Sequence, residues 1–291
     1  MKLANTGPQE SHALVGGRIS REEIDKVIPM IERILLQCNI QLGRPVADSL
    51  LGSSGSTRFM CGDIDIAAPV EILNNGGRVL SSHPQIKSCS QHGNVISFII
   101  AIPGGEISHS QLRNGLVQVD LIGGEFEWLK QFYHSDSKSS FKGAHRNLMI
   151  SAYLAHFRVK TYKPEWDDTW VTDNGPIFSQ KNGICDRSRE RVAKEDGTPY
   201  SSKFITVTSN HSYNLTNSAV FYFGSCYPHA FNSFEELIES IEECYDEEYV
   251  SGIYQRFFAD YLKDLPHLNV DTFPWSLYPR LDAIRSKLLQ R

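Results

Sequence analysis

Alternating apolar and polar positions predict a helix near the start of the chain and strands after it. Residues 20–38 place apolar side chains at helical spacing, behind a capping-box pair formed by Ser20 and Glu23. Residues 95–103 form a nearly continuous apolar, β-branched run, which is typical of a strand buried on both faces. Residues 115–124 alternate apolar with polar positions. We therefore expect 115–124 to be a strand beside 95–103.

The second half of the chain shows strand patterns followed by helix patterns. Residues 162–176 are rich in Pro, Asp, Asn and Gly, which indicates a crossing between domains. Residues 204–210 and 219–224 are rich in β-branched and aromatic side chains, which predicts two strands. Helical patterns then close the chain over 232–249, 250–264 and 277–290. The whole pattern favours an α+β protein with two domains, 1–160 and 161–291.

Composition narrows the class of protein. The chain has 291 residues, 41% of them apolar and 22% charged, as in a folded globular protein. Membrane-spanning helices need about twenty apolar residues in a row, and no such run occurs, so we expect a cytoplasmic protein without a membrane partner. The six cysteines have no CxxC spacing and predict reduced thiols. A net charge of −5 weighs against nonspecific coating of nucleic acid.

Residues 51–66, LGSSGSTRFMCGDIDI, contain the strongest chemical signal in the chain. Asp63 and Asp65 are two residues apart, so on a strand they would present two carboxylates to one face. Adjacent anions repel each other, and the natural cation between them is Mg²⁺ or Mn²⁺. We expect Gly52 and Ser53, with Gly55, to form a turn that opens a short helix, where backbone N–H groups can hold a phosphate.

This stretch resembles the signature of the polymerase-beta-like nucleotidyltransferase superfamily. That signature is a Gly-Ser turn, a short helix, Asp-x-Asp on a strand and a third carboxylate on a later strand, for which Asp120 is the candidate. The resemblance covers about residues 45–150 and implies a nucleotidyltransferase palm, a mixed sheet with flanking helices, in domain 1–160. The remainder, 161–291, would be a β-containing and helical accessory domain. Proteins of this general build also occur in bacteriophage genomes.

The resemblance implies a metal-dependent reaction at the three aspartates. Asp63 and Asp65 would hold a metal ion that bridges the triphosphate of an NTP, and with Asp120 they would hold a second metal ion. Asp120 is also a candidate to accept the proton of the acceptor hydroxyl. Gly52 and Ser53 would seat the β- and γ-phosphates as pyrophosphate leaves.

A basic segment after the third aspartate is a second candidate for nucleotide binding. Lys138, Lys142 and Arg146 follow at spacings of four, which would align them on one helix face. Members of the superfamily carry Phe-x-x-x-x-Arg here, and Phe141 with Arg146 reproduces that spacing. The family's Thr-Gly-Ser turn is replaced by Ser-Asp-Ser at 135–137, so the resemblance does not extend to sugar selection. The alternative is a solvated basic stripe.

Two further residues complete the candidate nucleotide contacts. Ser56 and Arg58 lie between the Gly-Ser turn and the aspartates. Both offer groups that can bind a phosphate.

The acceptor of the nucleotide stays open on sequence alone. A nucleic-acid 3′-hydroxyl, of RNA or tRNA, is favoured by the basic segment 138–146 and by the mixed run 181–194, which is otherwise explained as a soluble hairpin. A protein side chain or a small molecule is the alternative, as in adenylylating toxins and antibiotic-modifying enzymes. A third hypothesis is an inactive nucleotide-binding module. The eight acidic residues in 235–248 are expected to face away from a nucleic acid.

Overall fold

The structure is a computed structural model. It describes residues 19–56, 60–102, 115–134, 139, 141, 143–166, 169–268 and 275–289. The chain divides into two compact units, Met1–Ser137 and Lys138–Arg291. The functional domain limits expected from sequence, 1–160 and 161–291, stay a prediction, since compactness alone does not say which segment serves which site.

The first unit contains a mixed four-stranded sheet. Its strands are β3 (Ile64–Ala68), β4 (Ile86–His92), β5 (Val95–Ala101) and β6 (Leu116–Gly123), in the order β3-β6-β5-β4. Strand β3 is parallel to β6, and the other pairs are antiparallel. The mixed sheet and the pairing of 95–103 with 115–124 are thus confirmed. A separate short pair joins β1 (Ile19–Ser20) to β2 (Met60–Cys61).

Three helices of the described residues flank this sheet: α1 (Arg21–Gln37), α2 (Gly76–Ser81) and α3 (Phe126–Tyr133). Helix α1 begins where the sequence predicts. The Glu23 amide donates to Ser20 Oγ at 3.3 Å, and the Ser20 amide donates to Glu23 Oε2 at 3.0 Å. This capping box satisfies backbone donors that the first turn leaves free.

The two faces of the first sheet have different surroundings because side chains alternate along each strand. One face contributes Ile66, Phe98 and Val119 to the large core, which also contains the apolar stripe of α1. The opposite face contributes Ala67 and Ile122 to a smaller cluster with Leu129 of α3 and Leu51. Asp65 and Asp120 alternate with the large-core residues, so their side chains belong to the face of the smaller cluster.

The second unit combines an antiparallel sheet with helices. The sheet has the order β10-β9-β8-β7, with strands β7 (Val159–Tyr162), β8 (Trp170–Ser179), β9 (Gly183–Ala193) and β10 (Pro199–Ser212). The helices are α4 (Gly143–Ala155), α5 (Leu215–Phe223), α6 (Phe234–Cys244), α7 (Glu247–Leu268) and α8 (Pro279–Leu289). Both units therefore contain helices and sheet, and the α+β class is confirmed. Among the helices of the described ranges, none combines the length and apolarity needed to cross a membrane.

The predicted strand at 219–224 is wrong, because this segment belongs to helix α5. Asn214 caps that helix by accepting the Asn217 amide at 2.9 Å. Leu215, Ala219 and Phe223 are buried at intervals of four, which is a helical period. A short aromatic run does not distinguish a strand from a buried helix, and here the cap and the tertiary packing decide.

Candidate metal centre

The structure brings the three predicted aspartates together. Asp63 immediately precedes β3, Asp65 lies in β3 and Asp120 lies in β6. One carboxylate oxygen from each residue lies within 4.8 Å of the other two. Asp65 and Asp120 are register partners on parallel strands, so pairing of the strands itself sets their separation. A single cation can therefore contact all three carboxylates.

The electrostatics of the cluster favour binding of a cation. Burial raises the pKa of Asp65 well above its usual range, and the nearby Asp63 and Asp120 carboxylates raise it further. A raised carboxyl pKa means that the ionised form is disfavoured, by loss of water and by like charge. A divalent cation would offset both effects, and carboxylate oxygens are the ligands that hard cations such as Mg²⁺ and Mn²⁺ prefer.

A glutamine that the sequence analysis did not single out holds the third aspartate. Gln118 Nε2 donates to both carboxylate oxygens of Asp120, at 3.0 Å to Oδ1 and 3.2 Å to Oδ2. Both residues are buried, and they share one face of β6 because they are two positions apart. That i, i+2 spacing was the signal in the sequence that could have identified Gln118. The contact orients Asp120 without adding charge.

The predicted turn at Gly52 packs directly against the second aspartate. Gly52 has a φ of +54°, a backbone conformation that favours glycine. A Cβ atom at this position would lie only 3.0 Å from Asp65 Oδ2. The glycine therefore serves two purposes, the turn itself and the close approach of backbone to a carboxylate.

Ser54, which the sequence analysis also missed, connects this turn to β3. Its hydroxyl accepts the Asp65 amide at 3.1 Å and donates to the Leu51 carbonyl at 2.7 Å. The Leu51 amide in turn donates to the Asp65 carbonyl at 2.9 Å. Ser54 is fully buried, so these bonds form away from water. They hold the backbone of Asp65 on both sides against the turn.

Residues 52–55 form the expected turns, and the short helix expected to follow them falls largely on 57–59, outside the described residues. Ser56 Oγ donates to the Ser53 carbonyl at 2.9 Å, and Cys61 Sγ donates to the same carbonyl at 3.1 Å. The Arg21 guanidinium donates to the Ser54 carbonyl. The Ser53 and Ser54 carbonyls of the turn therefore accept hydrogen bonds from the protein's own side chains. Burial raises the pKa of the Cys61 thiol, so this side chain favours the neutral, packed form.

Arg146 lies in the core of the second unit. Its side chain is only 2% exposed, and its guanidinium donates to the Asn232 carbonyl at 3.2 Å and to Asn147 Oδ1 at 3.0 and 3.2 Å. Burial lowers its pKa to about 10. Phe141 is also buried, stacked on Phe234 with ring centroids 4.0 Å apart. The alternative of a solvated stripe is thus wrong for Arg146, and its contact with a nucleotide stays a prediction.

Other predicted site residues divide between described and undescribed positions. Gly52, Ser53 and Ser56 belong to the turn just described. Arg58, Lys138 and Lys142 lie outside the described residues, as does the Ser-Asp-Ser segment at 135–137. The nucleotide contacts predicted for Arg58 and the two lysines stay predictions.

The sequence was also compared with models of known protein families and with curated proteins. No family model matches the chain. No curated protein matches it either. The resemblance to polymerase-beta-like nucleotidyltransferases therefore rests on the motif residues, and membership of that superfamily stays a prediction.

Proposed function

We propose that the protein is a nucleotidyltransferase, dependent on Mg²⁺ or Mn²⁺, that moves a nucleoside monophosphate from an NTP to an acceptor hydroxyl. The observation that supports this most is the meeting of Asp63, Asp65 and Asp120 within 4.8 Å, with the Gly52 turn against Asp65. Three clustered carboxylates are destabilising in a protein that does not use them. Their presence together with the turn favours catalysis over a purely structural role.

The residues at this centre fit a hard divalent cation. All three side chains offer carboxylate oxygens, and the nearby Cys61 thiol donates to a backbone carbonyl instead. Oxygen donors suit Mg²⁺ and Mn²⁺ better than the softer metals that bind sulfur. Bound there, such ions would neutralise charge on the triphosphate and lower the pKa of the acceptor hydroxyl.

The proposed reaction is an in-line displacement at the α-phosphorus. The acceptor oxygen forms a bond to phosphorus, and the bond from phosphorus to the bridging oxygen of pyrophosphate breaks. The hydroxyl proton passes to a base, for which Asp120 is the candidate because Gln118 orients its carboxylate. Asp63 and Asp65 would hold a cation that supplies positive charge for the triphosphate, and positioning would contribute most of the catalysis.

The Gly52 turn is proposed to bind the leaving phosphates. Gly52 and Ser53 present backbone beside Asp65, close to where the triphosphate would lie. Ser56, Arg58, Lys138, Lys142 and Arg146 complete the proposed nucleotide contacts.

The acceptor separates the hypotheses. We favour a nucleic-acid 3′-hydroxyl, of RNA or tRNA, and the alternative is a protein side chain or a small molecule. An inactive nucleotide-binding module is the least favoured, because binding alone has no need for three clustered anions.

The test is transfer of label from each of the four NTPs, labelled at the α-phosphate, in Mg²⁺ or Mn²⁺. The acceptors offered are tRNA, a short RNA, a short DNA and the protein itself. We expect label on an acceptor with wild-type protein and with Asp48→Asn, which removes a charge at an exposed position. Asp65→Asn should abolish transfer. Equal transfer by Asp65→Asn would refute the assignment, and nucleotide binding without any transfer would favour the inactive module.

A further inference from the structure

The sheet of the second unit separates its charges by face. The strand register places Lys160 of β7 beside Asp173 of β8, Asp173 beside Arg189 of β9, and Arg189 beside Thr206 of β10. Residues two positions apart on a strand share a face, so Arg187 and Arg191 join Arg189. The acidic residues of β9, Asp186 and Glu190, alternate with these arginines and belong to the opposite face.

We call the face that carries the arginines of β9 the basic face. It comprises Arg158, Lys160, Arg187, Arg189 and Arg191, where Arg158 is assigned by its bond to Asp173. Among the described strand residues that the register assigns to this face, Asp173 is the only acidic one. The register therefore places these five cations on the face that carries Asp173.

Asp173 forms ion pairs with two of these cations, Arg158 and Arg187. It is 3% exposed and accepts from Arg158, with Nε to Oδ1 at 3.1 Å, and from Arg187 Nη2 at 3.4 Å. Burial lowers the pKa of Arg187, and the neighbouring Arg158 and Arg189 lower it further. Arg187 Nε is buried with no hydrogen-bond partner among the described residues. Arg158, Arg187 and Arg189 thus lie close enough together to affect one another's charge.

An aromatic ring lies at one end of the basic face. Trp170 begins β8, and the guanidinium carbons of Arg191 and Arg189 lie 4.4 Å and 5.8 Å from its ring centroid. Trp170 is half-buried. Arginine beside an aromatic ring is the combination that binds a phosphate and stacks a base in single-stranded nucleic acids.

We propose that the basic face binds the phosphodiester backbone of a single-stranded nucleic acid. That this strand is the acceptor of the nucleotide rests on the proposed function. That the basic face binds it does not. Same-face residues on a strand lie about 6.7 Å apart, so Arg187, Arg189 and Arg191 repeat positive charge at regular intervals along β9. A phosphodiester chain repeats negative charge along its length, and guanidinium groups bind phosphate oxygens in pairs. An acidic protein segment has neither this regularity nor a base to stack on Trp170.

The overall charge of −5 is compatible with this ligand. Charges on a protein surface are screened over about 8 to 10 Å at physiological salt, so a local cluster dominates binding at its own position. The acidic residues of β9 are separated from the arginines by the sheet, because they alternate with them. Acidic and basic residues that are mixed along the sequence run 181–194 therefore lie on opposite faces of β9.

The test measures binding of a fluorescein-labelled oligouridylate to the full-length protein by anisotropy, in EDTA and without NTP, over a range of salt. The test variant is Lys160→Gln with Arg189→Gln. The matched control is Lys181→Gln with Lys194→Gln, which removes two exposed cations from the turns that flank β9. Each single-strand phosphate contact adds about 0.7 to the salt slope, so the test variant should bind at least about tenfold more weakly, with a slope reduced by roughly 1.4. The control should bind like wild type.

Several outcomes would overturn the proposal. These are no binding of the oligonucleotide by wild type at low salt, unchanged binding by the test variant, equal weakening by both double variants, or equal competition by polyglutamate. Thermal unfolding of each variant monitors the fold, and Lys160→Gln alone, at an exposed side chain, gives a second measurement if the double variant unfolds. That single variant should reduce the slope by about 0.7, and an unchanged slope would count against the proposal.

Failure of this inference is distinguishable from failure of the proposed function. Asp65→Asn should bind the oligonucleotide like wild type, because Asp65 belongs to the metal centre and the assay contains EDTA. Oligonucleotide binding by a protein that transfers no nucleotide would refute the function and support the basic face. Transfer to a protein or small molecule without oligonucleotide binding would do the reverse.

Discussion

Asp65 and Asp120 occupy paired positions on adjacent parallel strands, with both carboxylates on the same face of the sheet. Neighbouring strands lie about 4.8 Å apart, so the backbone holds two anions at a distance where each disfavours ionisation of the other. The fold imposes this arrangement, and no rotation of one side chain removes both carboxylates from the shared site.

The first prediction concerns stability without metal. Asp65→Asn removes one of three clustered charges while keeping the size of the side chain, so it should raise the free energy of unfolding by about 1 kcal/mol. Urea unfolding in EDTA measures this change. Asp48→Asn, at an exposed position, should stay within about 0.5 kcal/mol of wild type. A marked destabilisation by Asp65→Asn would show that the carboxylate serves the fold rather than a ligand.

The second prediction is that the difference in free energy of unfolding between Asp65→Asn and wild type depends on pH. The folded-state pKa of Asp65 lies above its unfolded value, so the folded protein binds this proton more tightly than the unfolded chain does. The Asp65 carboxyl therefore does not destabilise the fold at pH values below its pKa in the unfolded chain. It destabilises the fold fully at pH values above its pKa in the folded protein. The advantage of Asp65→Asn over wild type in EDTA should shrink as pH falls through that window. A constant advantage from neutral to acidic pH would contradict the assigned pKa direction.

The third prediction separates two requirements at Gly52. Gly52→Ala adds strain at a positive φ and places a Cβ atom 3.0 Å from Asp65 Oδ2, so it should cost about 1 to 2 kcal/mol and weaken Mn²⁺ binding. Gly43 also has a positive φ, but a Cβ atom added there would have no other atom within 4 Å. At Gly62 an added Cβ atom would meet open space, and φ is in the ordinary range.

The two controls assign the effect of Gly52→Ala. Gly43→Ala should lose stability but keep its affinity for Mn²⁺, and Gly62→Ala should change neither. Calorimetric titration with Mn²⁺ and urea unfolding measure the two quantities. If Gly43→Ala and Gly52→Ala lowered the affinity equally, the approach of Gly52 to Asp65 would have no part in the metal centre.

The fourth prediction assigns Gln118 as a positioning residue. Gln118→Met keeps the length of the side chain but removes both donors to Asp120, which leaves a buried carboxylate poorly held. Loss of a partner that orients a metal ligand commonly weakens metal binding by about 10- to 100-fold. We expect the Mg²⁺ concentration for half-maximal transfer to rise accordingly, with the KM for NTP at saturating Mg²⁺ unchanged. A loss of stability with an unchanged Mg²⁺ requirement would give Gln118 only a structural role.

The fifth prediction concerns Arg146. Arg146→Met leaves the Asn232 carbonyl and Asn147 Oδ1 without their guanidinium donor, so it should lower the free energy of unfolding by about 1 to 3 kcal/mol. Equilibrium binding of ATP to the folded variant tests the separate nucleotide contact. An increase in the ATP Kd would support that contact. An unchanged Kd would show that Arg146 stabilises the core and does not contact the nucleotide.

Local patterns predicted the features that depend on neighbouring residues in the chain. The capping box of Ser20 and Glu23 formed as expected because its bonds span three residues. The segments 95–103 and 115–124 became adjacent strands because their composition suits a buried sheet. The strand predicted at 219–224 was wrong because its helix depends on the Asn214 cap and on buried partners that are distant in sequence.

The sequence by itself predicted Asp63 and Asp65 on a strand and Gly52 in a turn, since dihedral preferences and the period of a strand are local properties. Asp65 does lie in β3, and Asp63 immediately precedes it. Only the tertiary structure decided that Asp120 meets them, that Gln118 and Ser54 hold the site, and that Arg146 is buried. Those outcomes depend on which strands pair, in which register, and on which side chains lose water. The register also sorted the mixed charges of β9 into two faces, which a list of residues in order does not reveal.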